Sequence, residues 1–307
     1  MRRRALLYRS AALLAAATAG ARADLGTRKL PRIEVGGASL DVVLEPDVFE
    51  LEDSALGAWV HRSASVLTDY YGRFPVPYAT IHLRATGGRG VRTGNMQGWA
   101  GPRINIVLGE SSSVANLRAD WVLVHEMVHT AFPDVPDHQN WVEEGLAVYV
   151  ESVARLQAGD LSPSHVWGGF VARMPRGLPG PGDRGLDRTN TWGNRFWGGA
   201  IFCLVADLEI RRQTDNQHGL DHALRAILAS GLDNSVRAPL LDALGIADQA
   251  TGTEVLTQLY LQRRHRPVMT DLDGIWRQLG VSRDGRGVHF DETAPEAHFR
   301  RSISGQS

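Results

Sequence analysis

Cysteine and lysine are nearly missing from this 307-residue chain, and each shortage closes off a class of reading. The lone cysteine, Cys203, excludes an internal disulfide and sits in the apolar run Ile201-Phe202-Cys203-Leu204-Val205, the setting of a buried, inert thiol. Lys29 is the single lysine among 33 basic residues, an arginine bias that carries no function by itself. A formal net charge of −1 gives no reason to expect nucleic acid or an anionic membrane as a partner. No apolar run reaches the roughly 20 residues that span a bilayer. The balance of 43% hydrophobic and 22% charged residues is that of a globular domain with a sizeable core. Internal repeats are absent too.

What is present begins at the first residue. Met1-Arg2-Arg3-Arg4, a stretch of small apolar residues from Ala11 to Ala19, and Ala21-Arg22-Ala23 follow the order of a secretory signal peptide with its Ala-x-Ala cleavage site. Residues 1–23 are therefore expected to be removed on export to a bacterial periplasm or the medium, leaving residues 24–307 as one domain without a membrane anchor. The composition does not define an oligomeric state.

The densest motif is His125-Glu126-Met127-Val128-His129. In an α-helix, residues four apart lie about 40° apart around the axis and one turn along it, so both imidazoles can face one point. That point suits a zinc ion, Zn²⁺. Glu126, about 100° from its neighbour, falls beside an open coordination position, where its carboxylate can take a proton from water. A chain of this composition shows the pattern by chance with a probability of roughly 0.02, so the surroundings decide. Val114, Leu117, Trp121, Val124, Val128 and Ala131 recur at helical spacing, Ser111 to Ser113 offer N-caps, and Pro133 ends the run. One helix over 114–131 is predicted.

Catalytic zinc takes three protein ligands plus water, so a third must come from downstream. The next helical run starts at Trp141, after a short turn-rich loop. A carboxylate near its start faces back toward the first helix, and Gly145 lets two helices approach closely. Glu144 is the expected third ligand. Glu151 lies about 10.5 Å further along that helix, too far to share the ion, and is a candidate to orient a ligand; Glu143 points about 100° away and reads as an exposed or capping acid. His138 fails the metzincin spacing, since Phe132 and Val135 stand at that pattern's Gly and His positions. His218 and His222 repeat the four-residue spacing without a suitable carboxylate.

The two segments together resemble the gluzincin metallopeptidases, in particular the glycyl-aminopeptidase family and more distantly the alanyl-aminopeptidase family. Their second helix reads Trp-x-x-Glu-Gly-x-x-x-Tyr-x-Glu, matched by Trp141, Glu144, Gly145, Tyr149 and Glu151. The resemblance assigns the third zinc position to Glu144 rather than Glu143. It implies an α+β, thermolysin-like (gluzincin) metallopeptidase fold, with a small mixed β-sheet and the zinc helix in an N-terminal lobe (24–135) and a mainly helical C-terminal lobe (136–307). It also implies a peptide or protein substrate, and a strand before the zinc helix that lines the cleft; 97–101 is the expected segment. Gly94-Asn95-Met96-Gln97 lacks the acid that alanyl-type members use to hold a substrate amine.

A second likeness, at Phe196-Trp197-Gly198-Gly199-Ala200, matches the family's Tyr-x-x-Gly-Ala helix start, but with Phe196 in place of the tyrosine that stabilises the oxyanion. Phenylalanine donates no hydrogen bond. Arg195 and Tyr149 are the candidates to replace it, and a zinc-binding but catalytically silent, peptide- or partner-binding protein is the alternative reading.

The rest of the chain reads as a strand around 40–44, a helix over 51–71, strands at 79–84 and 103–108, and an irregular aromatic loop over 161–199 forming a cleft wall. Helices are expected at 201–212, 220–229, 238–244, 254–262 and 271–279, then a strand at 287–291 and a polar tail.

Overall fold

The computed structural model describes residues 26–98, 101–189, 191–285 and 287–306, so the expected signal peptide lies outside the described residues. The chain opens with strands β1 (Arg28–Lys29), β2 (Ile33–Val35) and β3 (Ala38–Glu45), then helix α1 (Asp53–Tyr71) and strands β4 (Tyr78–Thr86), β5 (Val91–Gln97) and β6 (Arg103–Gly109). These strands form one mixed sheet in the order β1-β3-β4-β6-β5, with β2 also on β3. β3, β4 and β6 run parallel, while β5 is antiparallel to β6 and forms an edge. Ala79, Ile81 and Leu83 of β4 and Ile104, Ile106 and Leu108 of β6 alternate into the core, as half-buried strands do. The opposite face carries polar pairs such as His82 with Glu45, whose side chains meet at 2.8 Å.

Helices follow: α2 (Val114–Arg118), α3 (Val122–Val128), α4 (Asn140–Gln157), α5 (Pro163–Arg173), α6 (Gly199–Gln213), α7 (Leu220–Ala229), α8 (Leu240–Thr251), α9 (Val255–Arg263) and α10 (Leu272–Leu279). The strands β7 (Val281–Asp284) and β8 (Gly287–Phe290) form a hairpin before α11 (Ala297–Ile303). A small mixed sheet plus a helical part is what the sequence led one to expect. One continuous apolar core joins strand residues to α1, α3, α4 and α6. Where α4 crosses α6, a Cβ on Gly145 would lie 2.3 Å from the Gly199 backbone, so the crossing requires glycine.

Three expectations need correction. The run 114–131 is not one helix: it breaks after Arg118, and Asp120 starts α3 afresh by accepting the backbone N–H of Val122 at 2.9 Å and of Leu123 at 3.1 Å. The stretch 161–199 is not one irregular loop, because Ser162 caps α5 and Trp167 and Phe170 are fully buried; within it, Phe196 does line the cleft. The polar tail contains α11, held in the core by Phe299 and Ile303.

Candidate active site

The metal-binding candidates come from the end of α3 and the start of α4. α3 is short, but its flanking residues Leu123, Val124, Met127 and Val128 are all buried, which fixes its rotation and turns His125 and His129 the same way. His129 heads a 3₁₀ turn, His129–Ala131, whose Thr130 hydroxyl donates to the Met127 carbonyl at 2.6 Å. Glu144 Oε2 lies 3.3 Å from Nε2 of His125 and 3.8 Å from Nε2 of His129.

The donor set fits a zinc ion. One ligand atom from each of His125, His129 and Glu144 lies within 4.8 Å of the others, and among the described residues no other cluster of three such side chains is present. Donors about 2.0–2.1 Å from a tetrahedral centre sit roughly 3.3–3.4 Å apart, close to the spacing found. Burial, with the neighbouring His125 imidazole, pushes the His129 pKa down to about 4, so its imidazole stays neutral, the ligating form. Burial alone would raise the Glu144 carboxyl; the hydrogen bond with His125 and nearby positive charge, Arg195 included, outweigh it and hold the group below its ordinary value.

Glu126 is buried on the cleft floor beside this cluster. Its place depends on β5, where a Cβ on Gly94 would lie 2.6 Å from Glu126 Cγ. Desolvation pushes the Glu126 pKa up to about 7, with His125 opposing and Glu144 reinforcing the rise. A carboxyl poised there can both accept and return a proton near neutral pH.

A cleft of about 570 Å³ encloses these groups, walled by β5 from Arg92 to Gln97, by Trp121 and Val122, and by Asp134, Asn140, Glu143 and Phe196. Of the expected segment 97–101, Gln97 and Gly98 line the cleft, which also takes in β5 from Arg92 onward; residues 99–100 lie outside the described residues. Glu143 is not an exposed acid: it is half-buried in the wall, where burial pushes its pKa up to about 7 while Asn140 Nδ2 donates to it at 3.0 Å. Glu151 does not reach a ligand. Its carboxylate accepts from Arg155 Nη1 at 2.7 Å and from Ser152, and His125 Nδ1 is buried without a hydrogen-bond partner.

Of the two candidate replacements for the missing phenol, Tyr149 is ruled out, since it is wholly buried and its hydroxyl donates to Asp207 at 2.8 Å. Arg195 stands behind Glu144 and lines a neighbouring cavity with His138, which is exposed and outside the ligand set. Phe196 itself stacks on His125, ring centroids 6.2 Å apart, from the π-helical turn Asn194–Gly198. His218 and His222 meet ring to ring at 5.0 Å.

Sequence reasoning missed Asn234. It lines the cleft from the α7–α8 loop, donating weakly to Met96 Sδ at 3.2 Å, while its Oδ1 is buried without a partner. Backbone bonds from Asn234 to Thr130 and from Asp134 to Val236 hold that loop beside the metal helix. Nothing local in the sequence signals a pairing over this separation.

The fold is shared with solved zinc metallopeptidases of the M1 family, in keeping with the gluzincin resemblance. An aminopeptidase N family protein from Idiomarina loihiensis superposes with a TM-score of 0.63 at 14% identity, over 83% of this chain and 49% of that one. An M1 zinc metallopeptidase from Deinococcus radiodurans gives 0.51 at 17% identity, covering 80% and 53%. Yeast LTA4 hydrolase gives 0.52 at 11% identity, covering 82% and 42%. The chain thus spans about half the length of these structures. No protein-family model and no curated protein sequence matches it.

Proposed function

We propose that this chain is an exported zinc-dependent peptide hydrolase. The observation that carries the reading is the convergence of His125, His129 and Glu144 on one point of a cleft, with the Glu126 carboxylate beside them. The export part rests on the order of basic, small apolar and Ala-x-Ala residues in 1–23.

His125, His129 and Glu144 would hold the metal. Zinc bound there supplies Lewis acidity, lowering the pKa of water toward roughly 7 and polarising a peptide carbonyl. The rest falls to the chain. A peptide laid along β5 meets an edge strand whose backbone can pair with it, which positions its scissile carbonyl over the cleft floor. Glu126 takes the proton of the attacking water on a carboxylate oxygen and passes it to the departing amine nitrogen. Gly94, lacking a side chain, lets that carboxylate pack directly against β5. Phe196 leaves the developing oxyanion without a phenol donor, a loss worth on the order of 10²–10³ in rate, so turnover is expected to be slow.

The test is metal analysis with a peptide-library digest, with and without chelator. Zinc at about one equivalent, hydrolysis lost on chelation, and a Glu126→Gln variant that keeps zinc but not turnover support the assignment; turnover that survives Glu126→Gln refutes the mechanism.

A further inference from the structure

Tryptophan is distributed unevenly in this molecule. Of the seven described tryptophans, Trp59, Trp141, Trp167, Trp197 and Trp276 are buried, whereas Trp121 is 51% and Trp192 59% exposed. Both exposed rings belong to one aromatic series. Trp121 stands edge-on to His125 at 5.4 Å, Phe196 stacks on the same imidazole, and Trp192 stacks on Phe196 at 5.4 Å and 26°. Trp121 immediately precedes α3, whose core-facing side is already filled by Leu123, Val124, Met127 and Val128, so core packing does not require it. Large apolar surface gathered beside a cavity marks a binding surface, and aromatic rings suit it because they give much contact area for little lost freedom.

We propose that Trp121, Phe196 and Trp192 form a subsite that selects a large apolar, above all aromatic, side chain on the peptide next to the cleaved bond. The proposal rests on the peptidase reading of the cleft and adds its substrate class. The cleft's apolar lining is confined to Met96, Trp121, Val122 and Phe196, while Asp134, which follows the other end of the metal helix, and Glu143 line the remaining wall. An extended peptide paired with β5 has its backbone groups met by the strand, which leaves the walls to read its side chains. Trp121 and Phe196 line the same cleft as His125, His129 and Glu144, and Trp192 backs Phe196, so the ring they accept belongs to the substrate residue flanking the reacting carbonyl. Phe196 then acts as a wall where a tyrosine would act as a donor.

The experiment uses the zinc-loaded full chain and fluorogenic hexapeptides in which each position is varied in turn among Phe, Leu, Ala and Asp. It measures kcat/KM for the wild type and equilibrium binding to the Glu126→Gln variant. Phe is expected to exceed Ala by about tenfold or more at one position beside the cleaved bond. Trp121→Ala should cut that ratio about tenfold, and Trp121→Phe should restore most of it; Trp192→Ala provides an independent variant should Trp121→Ala fold poorly. Cleavage with a flat Phe-to-Ala profile, or a ratio unmoved by Trp121→Ala and Trp192→Ala, overturns the subsite and leaves the peptidase intact. Binding that prefers Phe and is lost in these variants, without turnover in the wild type, upholds the subsite and sinks the peptidase reading. Neither binding nor cleavage of any Phe peptide sinks both.

Discussion

Replacing Gly94 with alanine tests how closely the proposed general base is held. The added Cβ would stand 2.6 Å from Glu126 Cγ, 2.8 Å from Val122 Cγ1 and 3.0 Å from Glu126 Oε1, whereas ordinary contact begins near 3.4 Å. Glu126 must therefore retreat by about 0.8 Å, and a misplacement of about 1 Å at a reacting group can cost 10² in rate. The obstacles are side-chain atoms able to give way, so stability should fall by no more than about 1–2 kcal/mol. The tightest contacts fall on Glu126 and Val122 rather than on His125 or His129. Gly94→Ala is thus expected to lower kcat by roughly 10–100-fold with zinc content unchanged, read by steady-state peptide hydrolysis alongside elemental analysis and urea unfolding. A variant with wild-type kcat, or one whose activity falls only in proportion to lost zinc, would refute the idea that β5 positions Glu126.

Gly145→Ala should behave differently, because its Cβ meets the backbone of Gly199 at 2.3 Å rather than a movable side chain. Parting α4 from α6 is expected to cost about 3 kcal/mol and to weaken zinc binding through Glu144, measured by urea unfolding and metal titration. Tyr149→Phe removes the hydroxyl that donates to buried Asp207, which keeps Arg211 and the Leu220 N–H as donors; a loss of about 1.5–3 kcal/mol with unchanged kcat is expected, and a large fall in kcat would return Tyr149 to the catalytic machinery. Phe196→Tyr offers the oxyanion a phenol at the cleft wall and should raise kcat about tenfold or more, within the 10²–10³ such a donor is worth; a rate that stays flat would place the ring away from the reacting carbonyl.

The metal site was legible because its chemistry is written at short range. His125, Glu126 and His129 lie within five residues across the end of α3 and the 3₁₀ turn that continues it, and Glu144 follows near the start of α4, where the family resemblance singled it out from Glu143. The start of α3 was missed because the apolar stripe runs across the break; Asp120, two residues before the first capped N–H, was the available signal. α5 was hidden by Gly- and Pro-rich surroundings although Ser162-Pro163 is a helix start, and α11 by the polar residues around Phe299 and Ile303. Glu143 was read from helix rotation alone, which could not show the wall it joins with Asp134. Gly94 and Asn234 needed coordinates. Their roles arise from β5 and the α7–α8 loop closing over α3, contacts spanning 32 residues for Gly94 with Glu126 and 138 for Asn234 with Met96.

The most direct measurement is the zinc K-edge absorption spectrum of the chain loaded with one equivalent of metal. Two imidazole nitrogens and a carboxylate oxygen at about 2.0–2.2 Å are predicted, with one imidazole lost in His129→Ala and the carboxylate lost in Glu144→Ala. A spectrum of fully hydrated zinc, or one identical in both variants, would contradict the proposed centre.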